Sequence, residues 1–420
     1  MSETAPTRSA RPRPGDELEL TVDSLAHGGA GVARLDGYVV FVQGAVPGDR
    51  VRARVGKSKR GYAEARAVEI LEPSPERIEP RAPHPGAPWQ VLPYERQLAE
   101  KEQQVRDALT RIGGFEEPPV DPIVPAVEQW RYRNKLEYSF GTDQGGELAL
   151  GFHHPGRWDQ IDDVSDDILA SERINELRES VKRWARAQEL PAFDPRSGEG
   201  FFRNLVVREG RRTGQIQARL VTSEGDFDRD GFVDAAKADS VLWTASSGVG
   251  STTREGTTKQ LHGKAHIEEQ LCGLRFRISP EAFFQTNTEM AERLYGIAIE
   301  LAGLSGREKV FDLYCGSGTI ALALAGYAGE VWGVEVVERA IADAIKNAKL
   351  NGVDNARFFA GDVRTAARPL LEQAGAPDVV VVDPPRAGLS AKIVRRVIPV
   401  DMFPQTPHIE SVALLEKKQP

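Results

Sequence analysis

From Leu18 to Leu71 the apolar and polar positions alternate in short runs: LELTV, YVVFV, DRVRARV and EARAVEIL. A period of two puts one side of each run in a core and the other in solvent, the pattern of half-buried strands. Glycine-rich turns at His27-Gly28-Gly29-Ala30-Gly31 and Pro47-Gly48-Asp49 separate the runs, and the spacing predicts a small β-barrel. A proline-rich stretch, PSPERIEPRAPHPGAP, follows and reads as an extended linker. Over 94–113 the period becomes helical, with Leu98, Val105, Leu109 and Ile112 on one stripe and Gly113-Gly114 as the stop.

Residues 130–280 mix strands (KLEYSF, NLVVRE, QIQARLV, SVLWTAS, LRFRIS) with one helix near 171–189. Beyond 281 the two periods take turns. KVFDLY leads into CGSGTI, then a helix (ALALAGYA), a strand (EVWGVE), a helix (ERAIADAIKNAKLNG) and the strands ARFFAG and DVVVVDPP. Such alternation predicts a parallel, doubly wound sheet. The expected fold class is α/β: a C-terminal Rossmann-like sheet, an N-terminal OB-like β-barrel and an α+β central domain. The segments are a disordered tail at 1–13, the barrel at 14–72, the linker at 73–93, the central domain at 94–280 and the sheet domain at 281–420.

Composition narrows the class. With 420 residues, 40% hydrophobic and 28% charged, the chain buries a sizeable core and is not mainly disordered. No run approaches the roughly 18 apolar residues of a membrane span, and MSETAPTRSARPRPG lacks the apolar centre of a secretory signal. Two cysteines, Cys272 and Cys315, are too few for a disulfide framework or a four-cysteine metal site. A reducing, cytoplasmic setting is expected. The net charge is −8, opposite in sign to most nucleic-acid binders, so any affinity for RNA must come from local patches.

Val310-Phe311-Asp312-Leu313-Tyr314-Cys315-Gly316-Ser317-Gly318-Thr319 places two glycines where a strand turns into a helix. Such turns let a ligand approach the backbone at the strand ends. Glu335 ends the next strand, where an acid takes the ribose hydroxyls of a nucleoside cofactor. Ala321 stands where a third Rossmann glycine would, which argues against a dinucleotide. Asp362 is placed to receive an adenine amino group, and Asp383-Pro384-Pro385-Arg386 ends the fourth strand at the pocket rim.

Taken together these positions resemble the S-adenosylmethionine-dependent methyltransferases. Phe283-Phe284-Gln285-Thr286-Asn287, Leu313-Tyr314-Cys315-Gly316, DPPRAG at 383–388 and DMFPQTPHIES at 401–411 resemble the RNA 5-methyluridine methyltransferase family. The barrel is similar to that family's RNA-binding TRAM domain. Tyr132-Arg133-Asn134-Lys135 and the run from Arg203 to Gly210 are similar to its central domain. The resemblance implies that Gln285, Tyr314, Gly316, Gly318, Thr319, Glu335, Asp362 and Asp383 contact S-adenosylmethionine.

In that family a cysteine thiolate adds to carbon 6 of uracil, the resulting enolate attacks the methyl group, and a base removes the carbon 5 proton. The base role carries over to Glu410. The nucleophile does not. The family places its cysteine between the DPPRAG and DMFPQT motifs, but here only LSAKIVRRVIPV separates them. Twelve residues make about three helical turns and leave no room for a strand, turn, helix and return strand. The segment is missing, not substituted. Cys315 lies in the cofactor turn, where the family carries a cysteine that is not the nucleophile, and Cys272 reads as a buried small hydrophobe.

Many family members also ligate an iron–sulfur cluster after the barrel. Here that region reads RAPHPGAPW, with Asp167 at the later position. Without thiolates no cluster is expected, and His84, His153 and His154 read as loop residues, so no metal is expected either.

Arg50, Arg52, Arg54, Lys57, Lys59 and Arg60 occupy one strand-and-turn stretch without an acid. Alternate strand residues share a face, and Tyr62 offers a stacking surface for an unpaired base. RNA contact is expected there. Arg203, Arg208, Arg211 and Arg212 extend the path, and the resemblance puts Arg386 near the target base. The function expected is methylation of uracil carbon 5 in RNA by a monomer without membrane partners. Ribosomal RNA is favoured over transfer RNA because the family's transfer-RNA branch usually lacks the barrel. The alternatives are a transfer-RNA enzyme and a catalytically silent relative that binds RNA and cofactor.

Overall fold

The computed structural model describes residues 11–143, 145–248, 253, 255–383 and 393–416; most of the expected tail and Arg386 lie outside them. The chain divides into two compact units, 1–129 with 393–420 and 130–392. No helix among the described residues is long and apolar enough to cross a membrane.

In the first unit β1 (Glu17–Leu25), β2 (Gly31–Leu35), β3 (Tyr38–Gln43), β4 (Arg50–Ser58) and β5 (Tyr62–Glu72) close a barrel in the order β1-β2-β3-β5-β4. The alternation read from the sequence is its inside and outside: Leu20, Val22, Val40, Val42, Val51, Ala53 and Val55 fill the centre. The proline-rich stretch has no regular secondary structure but is held in place. Asp49, fully buried, accepts hydrogen bonds from the Val46 and Ser74 N–H groups and from Arg77. Trp89 packs with Leu25, Val46 and Leu92.

The helix expected at 94–113 is α1 (Tyr94–Arg111), but its buried face is not the apolar stripe. Ile112 is 89% exposed, whereas Gln97 and Lys101 are completely buried. Lys101 bonds Asp401 and Phe403 from the far end of the chain, and Gln97 bonds Gln405 there as well as the nearby Trp89 and Leu92 carbonyls.

The second unit opens with a seven-stranded sheet. Its strands are β6 (Lys135–Thr142), β7 (Leu148–His154), β8 (Arg157–Asp162), β9 (Phe202–Glu209), β10 (Ile216–Thr222), β11 (Ser240–Ala245) and β12 (Thr257–Gly263), in the order β12-β11-β10-β9-β6-β7-β8. Helices α2 (Glu172–Ala187) and α3 (Arg229–Ala236) pack on one face through Ile174, Leu177, Val181 and Phe232. A hairpin of β13 (Ile267–Leu271) and β14 (Leu274–Ile278) leads to α4 (Thr288–Ala302).

Then comes the predicted parallel sheet: β15 (Lys309–Leu313), α5 (Thr319–Ala325), β16 (Glu330–Glu335), α6 (Glu338–Leu350), β17 (Ala356–Ala360), α7 (Val363–Ala374) and β18 (Val379–Val382), in the strand order β17-β16-β15-β18. Val310, Ala321, Leu324 and Val331 form one of its cores, and Phe311, Trp332, Val334 and Leu370 the other. Among the described residues β18 pairs on one side only, with β15, and Val380 is 47% exposed.

The last two strands, β19 (Ile393–Val400) and β20 (Glu410–Glu416), form an antiparallel pair belonging to the first unit. The units thus cut the chain differently from the expected segments, which joined 94–129 to the central domain and 393–420 to the sheet domain. The reason is local bonding: Val397 and Val400 bridge to Val120 and Val124, and Asp401 reaches Lys101.

Candidate functional site

The glycine-rich turn folds over the end of β16. The N–H groups of Tyr314 and Cys315 donate to the Val334 carbonyl at 2.9 and 3.0 Å, and that of Gly318 donates to the Cys315 carbonyl at 2.9 Å. The turn is tight enough to hold Tyr314 at φ +73°, a left-handed conformation that costs a residue with a side chain of order 1 kcal/mol or more. Gly316, at φ +55°, has open space where a Cβ would stand. A Cβ on Gly333 beneath would lie 2.6 Å from the Phe358 ring and 2.9 Å from Cys315 Sγ. The turn is sealed below and open above, a cradle for a ligand that touches backbone.

Acids surround this cradle. Glu335 accepts from the Gly316 N–H at 3.3 Å and the Val337 N–H at 2.9 Å, which fixes its carboxylate at the mouth. Asp312, missed by the sequence reading, is 1% exposed beneath the turn, and neither carboxylate oxygen has a hydrogen bond of good geometry. Burial, with the charges of Asp383 and Glu335, pushes its carboxyl up to about 7, and the nearby Ala321 N–H offsets this only in part. Asp383 is exposed just past β18. Three carboxylates around one opening suit a cation. The rim is apolar: Phe283, Val336 and Val337 are all more than half exposed, an arrangement that suits a flat ring system.

The wall of the site joins two motifs 150 positions apart in the chain. The Asn134 side chain donates to the Gln285 carbonyl and the Thr288 hydroxyl, both at 2.9 Å, and its N–H donates to the Thr286 carbonyl at 2.8 Å. Arg208 donates to the Ala282 carbonyl at 2.8 Å. Asn287 caps α4 through its side chain, which accepts from the Met290 N–H. The Gln285 side chain, half-buried, makes no hydrogen bond among the described residues.

Other expected contacts are already engaged. The Thr319 hydroxyl lies 3.1 Å from that of Tyr295. Asp362 caps α7, and its carboxylate is held by Arg364 at 2.7 Å; those hydrogen bonds bring it down to about 2. An adenine amino group must compete with Arg364 for it.

Neither cysteine offers a thiolate. Cys315 is buried, and burial with the charges of Asp312 and Glu335 pushes its thiol well above the usual range. Cys272 is half-buried, not buried as expected: it stands in the turn between β13 and β14, at φ +51°; burial and Glu292 push it to about 11. Reactive cysteines are depressed, not raised. Glu410 opens β20 opposite Val400, exposed to solvent, in the first unit.

The cluster region is filled by ordinary contacts. His84 Nδ1 accepts from the Gly86 N–H at 3.0 Å, and the Gln90 side chain bonds both the Arg81 N–H and the Ala82 carbonyl. Asp167 accepts from the Tyr138 hydroxyl at 2.9 Å. His154 pairs with Asp162. Among the described residues no group of His, Cys, Asp and Glu is gathered to hold a metal ion.

On the barrel, Arg50, Arg52 and Arg54 do share an exposed face, but neighbouring strands supply the acids that their own stretch lacks. Arg50 pairs with Glu19 and Glu72, Arg52 with Glu69, Arg54 with Glu17 and Lys57 with Glu64. Among the described residues no acid pairs with Lys59 and Arg60 in the next turn or with Arg66 on β5; close by, Phe41 and Tyr62 form an edge-on pair with ring centroids 5.5 Å apart. In the second unit Arg212 pairs with Glu292 and Arg211 with Glu289, while Arg203 and Arg208 are buried.

A TRAM domain family model matches residues 11–68, and a tRNA (Uracil-5-)-methyltransferase model matches 252–398. An uncharacterized RNA methyltransferase of Porphyromonas gingivalis is 36% identical, covering 94% of this chain and 99% of the relative. One of Halalkalibacterium halodurans is 35% identical, covering 96% and 97%. The first alignment runs over 461 residues, more than this chain has, so the relative carries positions without a counterpart here. Among solved structures, the Pyrococcus abyssi tRNA (uracil-54, C5)-methyltransferase in complex with S-adenosyl-L-homocysteine superposes with a TM-score of 0.78 at 27% identity, over 94% of this chain and 98% of that one.

Proposed function

Because this chain belongs to the RNA uracil-5-methyltransferase family, we propose that it methylates carbon 5 of uridine in ribosomal RNA, with S-adenosylmethionine bound at the 314–318 turn. The observation that carries the reading is the acidic cradle: an open glycine turn ringed by Asp312, Glu335 and Asp383. S-adenosylmethionine supplies an electrophilic methyl group on a sulfonium. Glu335, anchored by two backbone N–H groups, keeps lone pairs free for ribose hydroxyls. Asp312 and Asp383 attract the cationic methionine end. Phe283 and Val336 offer apolar walls to adenine, and Glu410, exposed at the start of β20, takes the carbon 5 proton. The protein acts as a cytoplasmic monomer, where its two cysteines stay reduced.

Two observations favour other readings. The Pyrococcus abyssi enzyme matches 94% of this chain, so possession of a barrel does not by itself exclude transfer RNA as the substrate. The raised thiols of Cys272 and Cys315 leave the family's covalent route without a nucleophile, which favours a relative that binds RNA and cofactor without transfer. Methyl transfer assays on unmodified ribosomal and transfer RNA, beside calorimetric cofactor binding, separate the three.

A further inference from the structure

Glu410 opens a strand that has no core of its own. Among the described residues β20 pairs only with β19, and from 410 to 415 none of its residues is buried. The loop before it is the reverse. Asp401 and Met402 are fully buried, and Pro404, Gln405 and Thr406 are closed off beside them. With so little packing on β20, the place where the strand begins is set by the loop that leads into it.

That loop turns at Gln405, which is 2% exposed and stands at φ +68°. A residue with a side chain enters this left-handed region at a cost and stays there where its surroundings over-determine it. Here the surroundings are α1 and the segment before it. The Gln405 N–H donates to Gln97 Oε1 at 3.0 Å, and Gln97 Nε2 donates to Gln405 Oε1 at 2.8 Å. The Gln405 carbonyl accepts from the Trp89 N–H at 3.0 Å. Gln97 is itself fully buried, anchored to the Trp89 and Leu92 carbonyls. Beyond the turn, the Thr406 hydroxyl donates to the Phe403 carbonyl at 2.7 Å and accepts from the His408 N–H at 3.2 Å. The constraint thus reaches to within two residues of Glu410. The barrel closes the other side: a Cβ on Gly29 would lie 2.7 Å from Pro407 Cβ.

We propose that Gln97 is a positioning residue for Glu410: by fixing the turn at Gln405 it aims the carboxylate at the carbon 5 proton. The inference rests on the reading of Glu410 as the base given above. Being buried, Gln97 acts only through the loop. Proton removal needs the carboxylate within hydrogen-bond reach, and a misplacement of about 1 Å costs on the order of a hundredfold. A glutamate at the exposed end of a strand gains that precision from rigid groups behind it.

Carbon 5 gains its methyl group before it loses its proton, so the two events can be read apart. The test uses the 420-residue chain with methyl-labelled S-adenosylmethionine and unmodified ribosomal and transfer RNA made with uridine tritiated at carbon 5. Methyl incorporation and tritium release are followed together on the wild type, Gln97→Ala and Gln405→Gly. Gln103→Ala, an exposed glutamine on the same helix, is the control. In the wild type and the control, release keeps pace with incorporation. In Gln97→Ala release should lag incorporation about tenfold, with S-adenosylmethionine affinity unchanged by calorimetry. Hydrogen exchange read by mass spectrometry should quicken in peptides covering 401–410 and stay as it was in β1 to β3. Should Gln97→Ala not fold, Gln405→Gly reads the same lag, since glycine suits φ +68° while the side-chain acceptor is lost. Any result in which release keeps pace with incorporation overturns the assignment: an equal fall in both would make Gln97 a structural residue, and no fall would show that the loop is held without it. Wild-type protein that neither transfers methyl nor releases tritium would refute the functional reading itself, and this inference with it.

Discussion

Lys101 and Asp401, three hundred positions apart, form an ion pair at 2.5 Å with both side chains fully buried. The Tyr94 hydroxyl donates to the other Asp401 oxygen at 2.8 Å, and Lys101 also donates to the Phe403 carbonyl at 3.1 Å. Gln97 adds three bonds from its amide nitrogen, to the carbonyls of Trp89 and Leu92 and to Gln405. This network fastens the DMFPQT segment, and through the Val400–Glu410 pairing the start of β20, to α1.

Breaking one side of that pair leaves an uncompensated buried charge. Asp401→Asn or Lys101→Met should therefore lower stability by about 3–5 kcal/mol, and the double substitution should recover most of the loss. Urea unfolding of the two single variants and the double variant measures this. A single substitution costing under about 1 kcal/mol would mean that water, not the partner, solvates the remaining charge.

This network also shows where sequence reading stops. Period-two and period-3.6 patterns located the barrel, the strand-to-helix turn and the parallel strands, because those elements bury one side of a repeating pattern. Nothing local to α1 reveals that Gln97 and Lys101 face inward: the partners of Lys101, and Gln405 among those of Gln97, lie some three hundred residues away, and a buried polar network has no periodicity. Asp312 was missed for the opposite reason. It sits inside the glycine motif, but a strand acid looks the same whether its oxygens are bonded or left bare. The arginine row on β4 was legible and its neutralisation was not, since Glu17, Glu19, Glu69 and Glu72 reach it only through strand pairing.

Asp312 makes stability depend on pH. Its folded value near 7 lies above the ordinary 3.8, so between those values the folded state holds the extra proton and stability falls as pH rises. The penalty is complete above about pH 7 and amounts to a few kcal/mol at about 1.4 per unit. Asp312→Asn should flatten this slope between pH 4 and 7 and stabilise the ligand-free protein at pH 8, while weakening S-adenosylmethionine. Melting curves across that range, with calorimetry at pH 8, read both effects. A variant with the wild-type slope would show that Asp312 does not carry it.

Glu335→Ala should weaken S-adenosylmethionine by roughly 10- to 100-fold, the loss of one or two hydrogen bonds to a charged acceptor, with the fold intact. Calorimetric titration beside a circular dichroism melt measures the two separately. Unchanged affinity would remove Glu335 from the site.

On the barrel, reversing Lys59 and Arg60 to glutamate should reduce RNA affinity more than reversing Arg52 and Arg54, whose charges Glu69 and Glu17 already balance. The salt dependence should flatten only in the first pair. Equal losses in both would return the β4 face to the RNA path.

The most direct test is an assay of the 420-residue chain with methyl-labelled S-adenosylmethionine and unmodified ribosomal RNA, followed by digestion and nucleoside separation, with transfer RNA in parallel. The expected product is labelled 5-methyluridine from ribosomal RNA, reduced by Glu335→Ala when S-adenosylmethionine is below saturation. No labelled nucleoside from either RNA, with normal cofactor binding, would contradict it and leave a protein that binds both partners without joining them.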